Sequence, residues 1–440
     1  MPAAPSTQAQ VQAYRFVRRR LDSALQNGDP LPPIDPNRRT RVGLFVGLGV
    51  VAVLVLASAI YGLIRPQRTV GDAAIVRDRD SGAIYVVRDR RLYPALNLTS
   101  ALLAAGSASG RVVVKTVDAA ALRGYGRGPL IGIPGAPDSV VSHADLLPAR
   151  WSACDAGGSV TALVGVAVQG QLSPDQAVLV RSPDHAYFLL TGSIRVPVST
   201  DSRVLRALGV DVAQARPMSA GLLDTIPALP PVNLPVVPAA GRSPSYNLDR
   251  RPIGSVVRVN RAASTDYYLL LNDGVQRITP LMADLVRFTY PASAQIAAVT
   301  PSDIGAVPAT RSPLSVPALR SAPTVVPSAP VVCASWQGRW TVSTHARLPL
   351  PSDASPVGSV YVPPGRGAVV TAVGRAQSTA TRYLITDEGI RFPVPDESVL
   401  RTLGLGGTAH AVPSALVALL PLGPVLDPAK AKSTWTTGPR

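Results

Sequence analysis

The sequence predicts a β-rich α+β protein: a single N-terminal transmembrane helix, then an elongated body of four small repeat domains around a central domain, with pseudo-twofold symmetry. Three observations predict it. Val42 to Ile64 is a run of 23 residues without a charge. The 440-residue chain holds 44 prolines and 36 glycines but only 5% aromatics, a composition that disfavours long helices and suits short strands joined by turns. A strand–turn–strand–helix pattern also recurs four times behind the apolar run.

The first element is a basic head. Gln10 to Gln26 places Tyr14, Val17, Leu21, Ala24 and Leu25 close to helical spacing, with Arg15, Arg18 and Arg19 elsewhere on the wheel. An amphipathic basic helix is expected, with Tyr14, Val17, Leu21 and Leu25 contacting a partner subunit or lying on the membrane surface. Gly28 to Pro36 is rich in proline and is expected to be a stiff spacer.

The apolar run is the second element. As a helix it reaches about 34 Å at ~1.5 Å per residue, enough to cross a bilayer between Val42 and Ile64. A cleaved export signal is the alternative, because Ala57-Ser58-Ala59 has small-x-small spacing. The run is longer than a signal core, begins after 41 residues and continues past that site, which favours a permanent span. Gly43 and Gly47 would let two such helices approach closely. Arg38, Arg39 and Arg41 before the span nearly match Arg65, Arg68, Arg77 and Arg79 after it, so local charge does not fix orientation. The seven arginines of the head favour a cytoplasmic head.

The net charge of +16 comes almost wholly from arginine, since Lys115, Lys430 and Lys432 are the only lysines. It is spread thinly along the body, with no basic stripe interleaved with aromatics, which argues against nucleic acid as a partner. Acidic headgroups, wall polymers or acidic subunits are the compatible partners.

In the body, Tyr187 to Val198 (YFLLTGSIRVPV) aligns with Tyr383 to Val394 (YLITDEGIRFPV), and Val204 to Gly209 aligns with Val399 to Gly404. The segments starting at Tyr85 and Tyr268 are looser copies. Pro252 to Val256 and Pro356 to Val360 are expected to be matching strand openers. Asn272-Asp273-Gly274 and Asp387-Glu388-Gly389 are expected to supply the positive φ of tight reversals. Gly128 to Pro134 corresponds to Ser312 to Pro317 between the copies, so the body reads as two halves, each repeat, middle segment, repeat.

Each middle segment carries one cysteine, Cys154 or Cys333. Pseudo-twofold halves would bring equivalent points together near the axis, so a Cys154–Cys333 disulfide is expected, with two buried thiols as the alternative. A bridge implies an oxidising compartment and a body outside the cytoplasm.

Motifs for chemistry are sparse. No glycine-lysine pair exists for a phosphate loop, and Gly124 to Pro129 lacks GxGxxG spacing and reads as a loop. His143, His185, His345 and His410 are scattered, with no metal-ligand spacing. Glu388 and Glu397 are the only glutamates, too far from the pattern of a paired-glutamate glycosidase. Ser107 and Ser109 miss a nucleophile elbow by one position. Asn97-Leu98-Thr99 is a formal glycosylation sequon, better placed to cap a helix. No catalytic, cofactor-binding or metal residues are assigned.

The head (YRFVRRRL), the span ending Leu63-Ile64-Arg65-Pro66, the string Leu96 to Ala101 (LNLTSA), the string Leu130 to Pro137 (LIGIPGAP), the Trp151-x-x-Cys154 site and Asp175 to Val180 together resemble the EccB family. EccB is the single-pass core component of type VII (ESX) secretion machinery. The resemblance implies an inner-membrane hexameric complex with the EccC motor ATPase, EccD and EccE, and a periplasmic body whose central domain is flanked by four repeat domains with one disulfide. Some family members are labelled ATPases; the missing phosphate loop points instead to EccC as the energy source.

The expected boundaries are head 1–41, span 42–64, repeat one 65–109, central domain 110–160, repeat two 161–240, repeat three 241–291, central domain 292–350, repeat four 351–426 and tail 427–440. The expected role is a structural subunit that oligomerises through its periplasmic body and helps form the export conduit. A wall-glycan receptor and an ATPase are the competing classes.

Overall fold

The computed structural model describes residues 7–28, 36–64, 69–106, 112–166, 168–262, 264–352, 354–374, 380–407 and 409–435. The proline-rich spacer, Arg65 and Arg68, and the Ser107/Ser109 segment lie outside them. The chain divides into two compact units, Met1–Thr69 and Val70–Arg440.

The first unit holds two helices. Helix α1 (Gln8–Asn27) starts where the Thr7 amide donates to the Gln10 side chain (2.9 Å), and ends at Gly28 in the left-handed region (φ 70°). Helix α2 (Pro36–Ile64) contains the whole apolar run, and its stretch Thr40–Ile60 has the length and hydropathy to cross a bilayer.

The second unit contains four small sheets, S1 to S4, with one order of events: three antiparallel strands, a helix, and a closing strand parallel to the first. In S1 the strands are Ile75–Asp78, Ile84–Arg88 and Arg91–Pro94, followed by helix α3 (Leu98–Ala105) and closing strand Val114–Val117. S2 runs Gln176–Arg181, Tyr187–Thr191, Arg195–Val198, helix Ser202–Leu208, strand Arg216–Pro217. S3 runs Val256–Asn260, Thr265–Leu270, Val275–Ile278, helix Pro280–Thr289, strand Ala297–Ala298. S4 runs Ala368–Val373, Thr381–Ile385, Arg391–Val394, helix Glu397–Thr402, strand His410–Pro413.

Each helix starts with a polar side chain accepting a backbone N–H: Asn97 from Ser100, Asp201 from Arg203, Thr279 from Met282, Asp396 from Ser398 and Val399. Asn97 is thus a buried helix cap.

A middle sheet joins both halves in the order Trp340–His345, Val331–Trp336, Trp151–Ala156, Ser159–Val164, Val360–Tyr361. Its central antiparallel pair runs from Trp151 opposite Trp336 to Ala156 opposite Val331, centred beside the Cys154/Cys333 pair. One face packs against S2 and S4 in a shared core that includes Trp151, Val178, Leu190, Val370 and Ile385. S1 in turn packs on S4, where Leu103 joins Leu384, Phe392, Val399 and Leu400. S3 packs on S2, where Leu281 and Leu285 join Val204, Ala207 and Leu208. The sequence of contacts is S1–S4–middle–S2–S3, so each half lends its first sheet to the other half's second.

Several expected boundaries shift. Val114–Val117 and Gly126–Arg127 pair within S1 rather than the middle, Ala297–Ala298 closes S3, and all of Ser159–Val164 belongs to the middle sheet. Val360–Tyr361 also joins the middle sheet, so the Pro356 to Val360 string is not a counterpart of the S3 opener. Short parallel strands have no hairpin partner in the sequence to reveal them. The stretch expected to be a tail folds back: Pro428–Ala431 is helical and Thr434–Trp435 pairs with Leu130–Ile131.

The repeat alignment slips by one residue. Phe188, not Tyr187, occupies the place of Tyr383: Phe188 faces Val180 and Pro197, as Tyr383 faces Val370 and Pro393. Arg195 and Arg391 then stack equivalently, each 5.5 Å from the ring centroid of Phe188 or Tyr383. The reversal in S4 is one residue longer, which hides the offset.

Gly389 has the expected positive φ (77°). Gly274 does not; it is required because a Cβ there would lie 2.3 Å from the Pro308 carbonyl oxygen. Asp273 holds that same segment, accepting from the Thr310 hydroxyl (2.6 Å) and the Arg311 amide (2.9 Å).

Candidate functional site

The disulfide lies within the middle sheet, and the buried polar contacts lie where one sheet meets another. At the centre, Cys154 and Cys333 face each other on adjacent strands with Cα atoms 4.0 Å apart and form a disulfide between residues 179 positions apart. Both are fully buried, and Leu163, Val168, Val331 and Tyr361 enclose them. Two residues along, the Ser152 hydroxyl donates to Ser335 across the same strand pair (2.8 Å). Alternation along a strand sends Trp151 and Trp336 to the opposite face, so neither tryptophan covers the sulfurs.

Asp155, next to the bridge, points toward S2. Its carboxylate lies 2.9 Å from Arg216 Nη2, and both side chains are buried, at 0% and 7% exposure. The carboxylate also accepts from the Ser219 amide (2.9 Å) and the Gly158 amide (3.2 Å), while Arg216 donates to the carbonyls of Asp155 (3.0 Å) and Pro330 (2.8 Å). All of the Arg216 contacts run through Nη2, Nη1 being buried without a partner, and they fix the S2 closing strand to the middle sheet. Its sequence signal was an isolated Asp after the Cys154 site and an isolated Arg 61 positions later, which nothing in the sequence ties together.

The two strings LNLTSA and LIGIPGAP meet. Asn97 donates to the Ile133 carbonyl (2.9 Å), and Ser100 accepts from the Ile133 amide (2.8 Å). Gly132 passes so close to α3 that a Cβ would lie 3.0 Å from Leu96 and 3.1 Å from Ser100. The returning chain end covers this contact: the Gly132 amide donates to the Ser433 carbonyl (3.3 Å), and Trp435 Nε1 donates to the Gly132 carbonyl (2.8 Å). Lys430 and Lys432 flank Ala431, which is fully buried.

Gly126–Arg127 of the glycine-rich segment forms a short strand beside Arg91–Leu92, and a Cβ on Gly128 would strike the Tyr93 ring at 2.5 Å. Gly128 therefore serves close packing, while a Cβ at Gly124 would meet nothing within 4 Å. The four histidines stay far apart in the chain's elements: His143 in a 3₁₀ turn, His185 in a reversal (φ 64°), His345 and His410 at strand ends. His345 Nε2 lies 2.8 Å from the Ser343 hydroxyl, and burial pushes its pKa down. Among the described residues no group of His, Cys, Asp and Glu could hold a metal. One groove of about 500 Å³ is lined by residues of Pro230–Val236 and Leu314–Ala318, and another of about 490 Å³ by Gln171, Asp175, Thr191–Ile194 and Ala318–Pro323.

The head's apolar residues are exposed: Tyr14 70%, Val17 54%, Leu21 58% and Leu25 83%.

Fold and contacts define a multi-sheet protein with an N-terminal helix long and apolar enough to cross a membrane, in which polar residues fasten one sheet to another. The family model "Type VII secretion system ESX-1, transport TM domain B" matches residues 3–439, and the chain belongs to this EccB family. Among its relatives, "ESX-3 secretion system ATPase EccB3" of Mycolicibacterium smegmatis is 33% identical over 466 residues, covering 96% of this chain and 89% of the relative. "ESX-2 secretion system ATPase EccB2" of Mycobacterium tuberculosis is 33% identical over 474 residues, covering 97% and 94%.

Two solved structures are similar. A chain of an intact ESX-5 inner membrane complex superposes with a TM-score of 0.72 at 30% identity, covering 100% of this chain and 98% of that one. A chain of the EccB3 dimer from the ESX-3 core complex gives 0.70 at 30% identity, covering 82% and 100%.

Proposed function

We propose that this chain is a structural subunit of a type VII (ESX) secretion complex in the inner membrane, anchored by one span from Val42 to Ile64. Its head is cytoplasmic and its body periplasmic. The body oligomerises and helps form the export conduit, and the partners are an EccC-type motor ATPase, EccD and EccE within a hexameric complex. The reading rests above all on end-to-end similarity to a chain of an ESX-5 inner membrane complex.

In this reading the four sheets and middle sheet are repeat domains around a central domain, and their role is to hold fixed distances between subunits. The Cys154–Cys333 bridge suits an oxidising compartment. The relatives carry the name ATPase, but this sequence has no glycine-lysine pair for a phosphate loop, so the motor partner supplies the energy.

The test is affinity purification of the tagged full chain from native membranes, followed by mass spectrometry. Recovery with a motor ATPase and further membrane subunits is expected; recovery of the tagged chain alone would overturn the reading. Topology has its own test. A thiol reagent that cannot enter cells should label Cys154 and Cys333 in intact cells only after reduction and unfolding.

A further inference from the structure

We propose that α1 is a surface-lying lipid-binding helix, which recognises the anionic phospholipid headgroups of the leaflet on its own side of the membrane. The proposal rests on α2 spanning the bilayer, as read above.

The helix has the required two faces. At 100° per residue, Val17, Leu21, Tyr14 and Leu25 fall within an arc of about 80°. All four are more than half exposed. Arg18 lies about 20° outside this arc and Arg15 about 80° outside it, where long side chains can keep their guanidinium groups in the headgroup layer while their stems cover apolar surface. Arg15, Arg18 and Arg19 are exposed, and Asp22 is the only acid in Gln8–Asn27. A net charge of +3 on this helix, from four arginines and one aspartate, opposes the sign of an anionic leaflet.

The second observation is the tether. Between Asn27 and the first residue of α2, Pro36, lie eight residues, which reach at most about 30 Å when extended. Six positions after Pro36 the apolar run begins at Val42. The near end of α1 is therefore held within about 40 Å of the start of the apolar run. Arg38, Arg39 and Arg41 precede the apolar run, so all seven arginines of the head fall on α1 or just before the span.

Tethering matters energetically because it removes most of the cost of bringing the helix to the surface; a local concentration in the millimolar range replaces free diffusion. Each arginine near an anionic leaflet then strengthens the docked state by about fivefold, and the effect fades within a screening length of ~10 Å at 0.1 M salt.

The experiment uses the full chain in nanodiscs of phosphatidylcholine, with and without phosphatidylglycerol, and reads amide hydrogen exchange over Gln8–Asn27. Slow exchange is expected only with phosphatidylglycerol. It should be lost at about 1 M salt, where the screening length is ~3 Å. The combined variant Arg15→Gln, Arg18→Gln, Arg19→Gln should weaken protection by on the order of a hundredfold. Leu21→Ser with Leu25→Ser should abolish it while exchange in the body stays unchanged.

Equal protection in both lipid mixtures, or none in either, would overturn the proposal. So would protection that appears only when other native membrane proteins are added, which would assign the same face to a protein partner. Because the purified chain alone is used, this outcome is independent of whether it co-purifies with a motor subunit.

Discussion

The two outer joints, S3 on S2 and S1 on S4, occupy matching places in the two halves yet are fastened differently. The S2/S3 joint is a helix-to-helix contact: Leu281 and Leu285 enter the S2 core, and Arg206 of the S2 helix stacks 5.4 Å from the Phe288 ring centroid of S3. The S1/S4 joint has shorter helices and borrows the chain's end, which hydrogen-bonds Gly132 from both Ser433 and Trp435. The inner attachments differ as well. S2 is bound to the middle sheet by Asp155–Arg216, whereas His410, at the ladder position of Arg216 in S4, is exposed. The same fold repeated four times has thus been joined by charge and helix packing on one side and by apolar packing and a strap on the other.

The largest effect expected from breaking this asymmetry comes from Asp155→Ala. It leaves Arg216 buried without its carboxylate and should cost about 3–5 kcal/mol. Urea unfolding of the full chain in detergent should show it, while His410→Ala at the matching position should leave stability almost unchanged. Equal losses would mean that S2 and S4 are held alike after all.

Next in size is Leu285→Ala, which removes a fully buried side chain from the S2/S3 joint. The expected loss is about 2–5 kcal/mol, concentrated in S2 and S3 when read by hydrogen exchange. Protection in α3 and in Glu397–Thr402 should be unaffected, since they belong to the other joint.

How much of this was legible before the structure follows from which contacts are local in sequence. The S2 and S4 hairpins announce themselves because strand, reversal and strand lie within 12 residues, from Tyr187 to Val198 and from Tyr383 to Val394. The long apolar helix is legible from composition alone, and the cysteine pairing from the matched places of Cys154 and Cys333. The closing strands were not, since Ala297–Ala298 and Arg216–Pro217 are two residues long and pair in parallel with strands far back in the chain. Asp155 and Arg216 were missed for the same reason: a buried ion pair leaves no periodic trace. The strap had a faint signal, an Asp427-Pro428 helix start and a lone late tryptophan, but only the fold shows that Gly132 is its target.

A smaller effect tests the strap. Trp435→Ala removes one hydrogen bond and the half-exposed ring that carries it, with an expected cost of about 1 kcal/mol. The loss should appear as faster exchange at Gly132 and Ile133 and in α3, with S2 and S3 unchanged. Faster exchange in S3 would contradict the separation of the joints.

The smallest expected effect is in pH, and it touches both joints through their caps. Asp201 starts the S2 helix, and its hydrogen bonds from Arg203, side chain first and backbone second, lower its pKa to about 2. Asp396 starts the S4 helix and is also lowered, chiefly by the Ser398 hydroxyl. The partner helices in each joint are capped by Asn97 and Thr279, which do not titrate in acid. A carboxylate with a depressed folded-state pKa contributes stability above its ordinary value, 3.8, and loses it as pH falls toward the folded value. Thermal stability should therefore fall as pH drops from about 4 to about 2. Asp201→Asn keeps a side-chain acceptor at the cap while removing the charge. That variant should flatten the acid dependence of exchange in Ser202–Leu208 without altering Glu397–Thr402, and an unchanged acid profile in the S2 helix would show that Asp201 does not govern this joint.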